Sequence, residues 1–260
     1  VAGVSESKAA VFRDGFLAVL GERGLLLFDA REARTGRVVR TARIPCPVPA
    51  EDARMAIDES SRLFVAGGPE IAGLDLARGG LAFWRRRLWG VAGPPTCAGG
   101  WVYVLVRGEA GEPDGIVRLD PEEAGEKDVG EPRAMIHAQA SRLAAGKNRI
   151  AIPVNLRGRT GMFNSSGSAP RARAGLALLD IQAGTLVRTI PLGASPVQPI
   201  VASDAAAYVA EADGRIERVS FEAQSVTWRA DLGTRPTGPM ILCDGLLLVP
   251  AGDRVAVLED

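Results

Sequence analysis

Histidine is almost missing from this chain: His137 stands alone among 260 residues. A single imidazole with no second histidine or paired thiol makes a poor metal ligand. General-base work would need partners that "AMIHAQAS" does not supply, so His137 reads as a structural or surface residue. Lysine is nearly as scarce, with only Lys8, Lys127 and Lys147 among 31 basic residues. Thirty-one acidic residues balance these, which excludes a global field for nucleic acid or membrane. Cysteine is limited to Cys46, Cys97 and Cys243, an odd set that cannot form a full disulfide framework. No Cys-x-x-Cys pair or basic neighbour activates Cys97 or Cys243, and all three read as buried free thiols. Apolar runs stay well below the roughly 18 residues of a membrane-spanning helix. No signal-peptide pattern is present and the first residue is Val, so a processed or trimmed product is expected. Helical periodicity is missing too: no window longer than about ten residues keeps the spacing of an amphipathic helix.

What the chain has instead is short apolar runs. Hydrophobic residues make up 47% of it, enough for a large core. They come in runs of about four to six, rich in Val, Leu and Ile and bounded by Gly, Asp, Asn or Pro, which are strand and hairpin signals. One pattern recurs: a turn, an apolar run, a second turn, and a run ending near Asp. It occupies Arg13–Ala30, Ser60–Leu76, Ala98–Asp120, Gly146–Ile181 with an interruption, Ser203–Ser220 and Cys243–Glu259. Further runs such as "TLVRTIPLG" and "PIVAS" bring each copy to four strands. The best helical candidate, "DPEEAGEKD", contains Pro121 and Gly125 and reads as a loop. Six copies of roughly 40 residues and four strands have the spacing of β-propeller blades. The expectation is an all-β chain, a single propeller domain over residues 1–260, with six blades of four antiparallel strands. Seven blades is the alternative.

A finer pattern follows the third run of each copy. "GLDLARGGLAFW" (Gly73–Trp84) and "VSFEAQSVTW" (Val219–Trp228) resemble the blade signature of the PQQ-like propellers. That signature runs Ala-x-Asp, three residues, Gly, then Trp four positions later. Asp75 and Gly79 fit it, with Trp84 one residue late; Asp180 and Gly184 fit it, with Arg188 in the Trp place. In the fifth copy Ser220 stands for the Asp and Gln224 for the Gly, ahead of Trp228. The Asp bonds the turn, Gly permits it, and Trp wedges between blades. "GTLVRTIPLGASPVQP" also resembles the related YVTN-type blades. Quinone-dependent alcohol dehydrogenases of the same broad family carry Trp-rich blades, adjacent cysteines and a calcium site. Here no two cysteines are neighbours, and neither a stacking platform nor a cluster of oxygen ligands is found. The resemblance therefore implies a non-enzymatic branch, with no catalytic residue, metal or cofactor. It implies a protein-binding or assembly scaffold in a bacterial, extracytoplasmic setting, periplasmic or at the cell surface. One alternative is a small-ligand carrier or quinoprotein-type enzyme using the central funnel. Another is a structural subunit of a larger complex, marked by an exposed apolar patch on one blade rim.

Two stretches are candidates for recognition. "FWRRRLWG" (Phe83–Gly90) interleaves arginines with aromatics and reads as a strand with apolar residues inside and arginines on the rim. The interruption at about 155–175 carries Arg157, Arg159, Arg171 and Arg173, no acidic residue, and Met162 and Phe163 at its centre. So long a loop in a compact repeat is functional or disordered. In a propeller, connections between blades share one face with those between second and third strands. That face would collect the interruption, Arg85–Arg87, His137 and Arg235, together with Glu109, Glu112 and Asp114. The acidic "EPDGIVRLDPEE" lacks calcium-loop spacing and reads as solvated, and the sequon at Asn164 reads as idle. The expectation is a net basic face of Arg157, Arg159, Phe163, Arg171, Arg173 and Arg235, suited to an acidic protein or peptide rather than nucleic acid. Phe163 would be its apolar anchor. Two further expectations concern the ends and the thiols. Val1–Val4 should supply the outer strand of the last blade and cover its edge. Cys97 and Cys243, aligned as equivalent residues ending the inner strands of blades three and six, should form no disulfide.

Overall fold

Each short apolar run becomes a strand in the computed structural model, which describes residues 7–259 apart from 22–23, 32–38, 49–52, 89, 91–92, 107–114, 123–125, 128–142 and 157–172. The described residues form 23 strands and no helix. The strands group into two compact units, residues 1–112 with 116–128, and residues 113–115 with 129–260.

The first unit holds three antiparallel sheets. They are β1 (Ser7–Arg13), β2 (Phe16–Gly21), β3 (Gly24–Asp29) and β4 (Val39–Ile44); β5 (Arg54–Ile57), β6 (Arg62–Gly67), β7 (Glu70–Asp75) and β8 (Leu81–Arg87); and β9 (Thr96–Ala98), β10 (Trp101–Val106), β11 (Gly115–Leu119) and β12 (Glu126–Lys127). The second unit holds three more. They are β13 (Ala144–Ala145), β14 (Arg149–Leu156), β15 (Arg173–Asp180) and β16 (Leu186–Pro191); β17 (Val201–Ala202), β18 (Ala206–Ala210), β19 (Arg215–Ser220) and β20 (Ser225–Asp231); and β21 (Ile241–Cys243), β22 (Leu246–Ala251) and β23 (Arg254–Glu259). Strands are paired in chain order within every sheet. The last sheet has three strands among the described residues, and Val1–Val4 lie outside them. "DPEEAGEKD" is not wholly loop, because Glu126 and Lys127 pair with Leu119 and Arg118 as a short outer strand.

Sheets pack face to face within each unit, so the middle strands are buried on both sides. Every residue of β18 is buried, as are all of β6 and β10 after their first residue. That explains why the runs read as continuous Val, Leu and Ala rather than as alternating patterns. In the first unit Leu20, Leu25 and Leu27 meet Met55, Leu63 and Val65 of the second sheet. Phe64, Ile71 and Trp84 meet Val102, Val104 and Leu119 of the third. In the second unit Leu176, Leu178 and Ile190 meet Ala207, Val209 and Val219. Tyr208 and Ile216 meet Met240, Leu247 and Val249.

The turn signature does what its chemistry requires. Asp75 accepts from the Arg78 amide at 3.2 Å, Asp180 from Ala183 at 2.8 Å, and the Ser220 hydroxyl from Ala223 at 3.1 Å. Gln224 occupies the glycine position with a left-handed φ of 49°. Trp84 reaches its place although it is one residue late. β7 and β8 first pair at Asp75 and Leu81, where β19 and β20 first pair at Ser220 and Ser225. The extra residue is absorbed by two consecutive left-handed glycines, Gly79 (φ 67°) and Gly80 (φ 84°). Trp84 then faces Gly73, two residues before Asp75, as Trp228 faces Arg218, two before Ser220. A Cβ on Gly80 would lie 2.6 Å from Leu27 Cδ1, whereas one on Gly79 would meet nothing within 4 Å. Gly80→Ala should therefore destabilise the chain by about 2–3 kcal/mol in denaturant unfolding, and Gly79→Ala by about 1 kcal/mol. Equal losses at the two sites would show that the close approach to Leu27 plays no part.

The three thiols are free, as expected, but not buried as expected: Cys46 and Cys97 are half-buried and Cys243 is exposed. Their alignment needs correction. Cys243 pairs with Leu246 across its turn, while the residue that pairs with Trp101 in the corresponding place is Ala98; Cys97 pairs with Val102. Cys97 is thus one residue further from its turn, and a one-residue shift sends a side chain to the other face of the sheet. Cys97 packs against the Trp84 cluster, and Cys243 is exposed. Burial, aided by the charge of Asp58, pushes the Cys97 thiol up to about 12. A disulfide-exchange reagent at pH 8 should label Cys243 rapidly and Cys97 only on unfolding. Equal labelling rates would overturn this register.

Candidate functional site

Backbone hydrogen bonds in the second unit gather the linkers between sheets onto the edge where second and third strands turn. Val197 N donates to Ala210 O at 2.9 Å and Ala212 N to Ser195 O at 3.0 Å, tying the β16–β17 linker to the β18–β19 turn. Leu232 N bonds Gly214 O at 3.0 Å, and Thr237 N bonds Pro250 O at 2.9 Å, tying the β20–β21 linker to the β18–β19 and β22–β23 hairpins. Gln198 Nε2 joins the two linkers through Pro236 O at 3.2 Å. At the start of the first linker, Leu192 N bonds Ala174 O at 3.0 Å, next to the point where the chain re-enters β15.

Two of the six expected binding residues lie among the described positions. Arg235 is exposed in the β20–β21 linker. Arg173 opens β15, its backbone paired with Leu156, so it marks the root of the interruption. Arg157, Arg159, Phe163 and Arg171 lie outside the described residues, as does His137. The hairpins of this edge differ greatly in length. β18 ends at Ala210 and β19 starts at Arg215, whereas β14 ends at Leu156 and β15 starts at Arg173.

The same edge holds acidic groups that sequence reasoning missed. Glu211 and Glu217 are fully buried on the β18–β19 hairpin. Glu211 Oε1 accepts from the Ala194 amide at 2.9 Å, and Glu217 Oε1 accepts from Arg229 Nε at 2.7 Å. Among the described residues the second carboxylate oxygen of each makes no hydrogen bond of good geometry, although the Gly193 amide as well as the Ala194 amide favours the ionised form of Glu211. Burial, together with the charges of Glu217 and Asp213, pushes the Glu211 carboxyl above the usual glutamate range. A signal for them was hard to see. In "RIERVS" the neighbours of Glu217 give no alternation, because both faces of this sheet are covered.

The arginine-rich stretch of the first unit is a strand with its arginines outside, as its sequence suggested, although Phe83 is exposed rather than inside. Trp84 is buried, Arg85 pairs with Glu70, and the Arg86 guanidinium lies 5.4 Å from the Trp84 ring centre. Near the β5–β6 and β9–β10 turns a cleft of about 40 Å³ is lined by Asp58, Arg62, Cys97 and Trp101, among others. That is room for a few waters and not for a substrate. Arg62 pairs with Asp58 at 2.7 Å and also with Glu122, whose side chain stays exposed to solvent as the sequence suggested. Asp58 also accepts from the amides of Ser60 and Arg62 at 2.9 and 2.8 Å. Asp58→Ala should cost about 3 kcal/mol in denaturant unfolding, since it strips a half-buried arginine and two amides of their acceptor. A loss below about 1 kcal/mol would show that Glu122 alone satisfies Arg62.

No family model matches the chain, and no curated protein matches its sequence. Solved structures do match its fold. BamB from Moraxella catarrhalis is similar at 13% identity and a TM-score of 0.56, over 95% of this chain and 67% of that one. Apo AztD from Citrobacter koseri is similar at 13% identity and a TM-score of 0.63, over 98% and 68%. The WD40 domain of Neurospora crassa Pan2 is similar at 13% identity and a TM-score of 0.64, over 96% and 74%. The chain has the all-β propeller fold, with six blade-like antiparallel sheets. Identity at this level carries the fold and no activity.

Proposed function

We propose that this propeller is a non-enzymatic scaffold that holds an acidic protein or peptide segment at the linker-and-hairpin edge of its second unit. The observation that carries this reading is the β14–β15 connection. The β18–β19 and β22–β23 hairpins turn in four and two residues, Glu211–Gly214 and Gly252–Asp253, whereas this one spans residues 157–172. An insertion of that length on an otherwise tight edge is where a rigid scaffold places recognition. Its composition fits the partner class: Arg157, Arg159 and Arg171 lie within it and Arg173 at its root, with no acidic residue, and Phe163 supplies an apolar anchor. Arg235, exposed in the neighbouring linker, adds a cation to the same edge. The PQQ-like resemblance supports a bacterial, extracytoplasmic setting. Propellers among the solved structures are consistent with binding: one similar fold is described as a complex of KlAtg21 with the coiled coil of AgAtg16.

The test is capture of partners from an extract of the native host by the immobilised chain. Deleting Met162–Pro170 should reduce capture about tenfold while leaving the melting temperature nearly unchanged. A poly-glutamate peptide and raised salt should both compete. Unaltered capture would refute the reading, and a collapse in melting temperature would show that the insertion belongs to the fold.

A further inference from the structure

The last sheet departs from the other five. Its third strand, β23, is the outermost of its described strands, whereas β3, β7, β11, β15 and β19 each have a fourth strand beside them. Third strands are otherwise largely buried, β3 at Leu25, Leu27 and Phe28, and β19 at Ile216, Glu217 and Val219. No residue of β23 is buried, and Val255 and Val257 are each 58% exposed, although β23 is more apolar than β19. Its ladder with β22 runs unbroken from Arg254 to Glu259. The direction of its hydrogen bonds follows from the two-residue turn at Gly252 and Asp253. A bonded pair closes such a turn, here Ala251 and Arg254, and unbonded and bonded pairs then alternate. Pro250, which has no amide hydrogen, takes the unbonded place opposite Val255 and turns its carbonyl to the Thr237 amide at 2.9 Å. The amides and carbonyls of Val255, Val257 and Glu259 therefore point away from β22, along an edge that no described strand meets. On one face of the sheet this edge continues into Ile241 and Leu246, which are 56% and 39% exposed.

We propose that the β23 edge takes an extended strand from a partner protein, an apolar stretch preceded by a basic residue and followed by acidic ones. Direction comes from the neighbouring sheets. β16 and β20 run antiparallel to β15 and β19 and lead into linkers at the edge where second and third strands turn. A strand added to β23 in the same sense starts beside Glu259 and leaves beside Arg254. Charge sets its two ends. Arg254 is 87% exposed, and its contact with the equally open Asp253 is 3.7 Å long, a pair that contributes little. Arg235 adds a second cation nearby: Pro236 bridges Ala251, and Ala251 pairs with Arg254. Acidic residues of the partner suit that end. Exposed Glu259 at the other end suits a base, and Val255 and Val257 between them suit apolar side chains opposite. A second copy of β23 fits poorly. Antiparallel self-pairing that keeps side chains on one face sets Asp253 against Glu259 when centred on Ala256, and Val255 against Glu259 when centred on Val257. The acidic half of the proposal rests on the scaffold reading above, and the strand states how such a segment is held.

The experiment mixes the full chain with a synthetic peptide in which lysine precedes alternating valine and threonine and glutamates follow. Binding is read by titration and by amide hydrogen exchange. Saturating peptide should slow exchange at Val255, Val257 and Glu259 by about tenfold or more, and change Ala256 and Leu258 little, since these already bond β22. The same peptide with its charged ends exchanged should bind about fivefold more weakly. Val257→Pro removes one outward amide and no bond to β22, so it should weaken binding about tenfold. Undiminished binding by that variant, or exchange at the three amides unmoved by the peptide, would overturn the proposal. Slow exchange there in the chain alone would also overturn it, because the edge would already be filled: by the chain's own residues if the mass is that of a monomer, by a second copy if it is that of a dimer. Should Val257→Pro fail to fold, the exchange pattern of the wild type decides. The chain lacking Met162–Pro170 separates strand addition from recognition by the insertion. Peptide binding lost there but normal in Val257→Pro ends strand addition and leaves the insertion as the recognition site. Peptide binding normal there but lost in Val257→Pro supports strand addition, and with partner capture also unaltered it ends the insertion's role.

Discussion

Covering both faces of a sheet at once is the constraint from which the rest follows. A strand buried on both sides has no solvent face on which to place charged residues, so β10, β18 and, after Arg62, β6 carry none. Polarity is forced to the ends of strands and to outer strands. There it performs the remaining tasks: closing turns through Asp75, Asp180 and Ser220, pairing Arg62 with Asp58, and tying linkers to hairpins. Among the described residues three charged side chains are buried: Asp58 at a turn, and Glu211 and Glu217 close to a hairpin, each of these two with one bonded oxygen.

Much of the fold was legible because turns are local. Ser220 and Gln224 could be assigned to the Asp and Gly places by spacing, and the hydroxyl bond and the left-handed φ at those residues bear the assignment out. The Trp84 offset was legible as a discrepancy, and its remedy, a second glycine, was present in the same turn. What failed was counting across a turn between copies. "TCAGGW" and "LCDGL" place their cysteines at different distances from the turn, and in a strand with period two that single residue decides between a half-buried and an exposed thiol.

The candidate site was legible in part. The length and charge of the insertion stand in the sequence itself, and the grouping of linkers with second-to-third-strand turns, expected from propeller topology, is seen in the second unit through the bonds of Val197, Ala212 and Thr237. Glu211 and Glu217 were not legible. A carboxylate in a polar-looking hairpin is ordinarily solvated, and only the burial of both side chains in the folded chain shows otherwise.

The outer strands share one irregularity. β4, β8, β16 and β20 each slip register by one residue, leaving Thr41, Phe83, Val187 and Thr227 without a partner opposite. A bulged strand bends and twists away from the straight ladder that another chain would need in order to add on. Four sheets whose outer strands would otherwise be ready templates for intermolecular pairing are thereby made poor ones. The resistance to polymerisation sits in backbone geometry, so surface residues along those strands are free to diverge without opening a route to fibres.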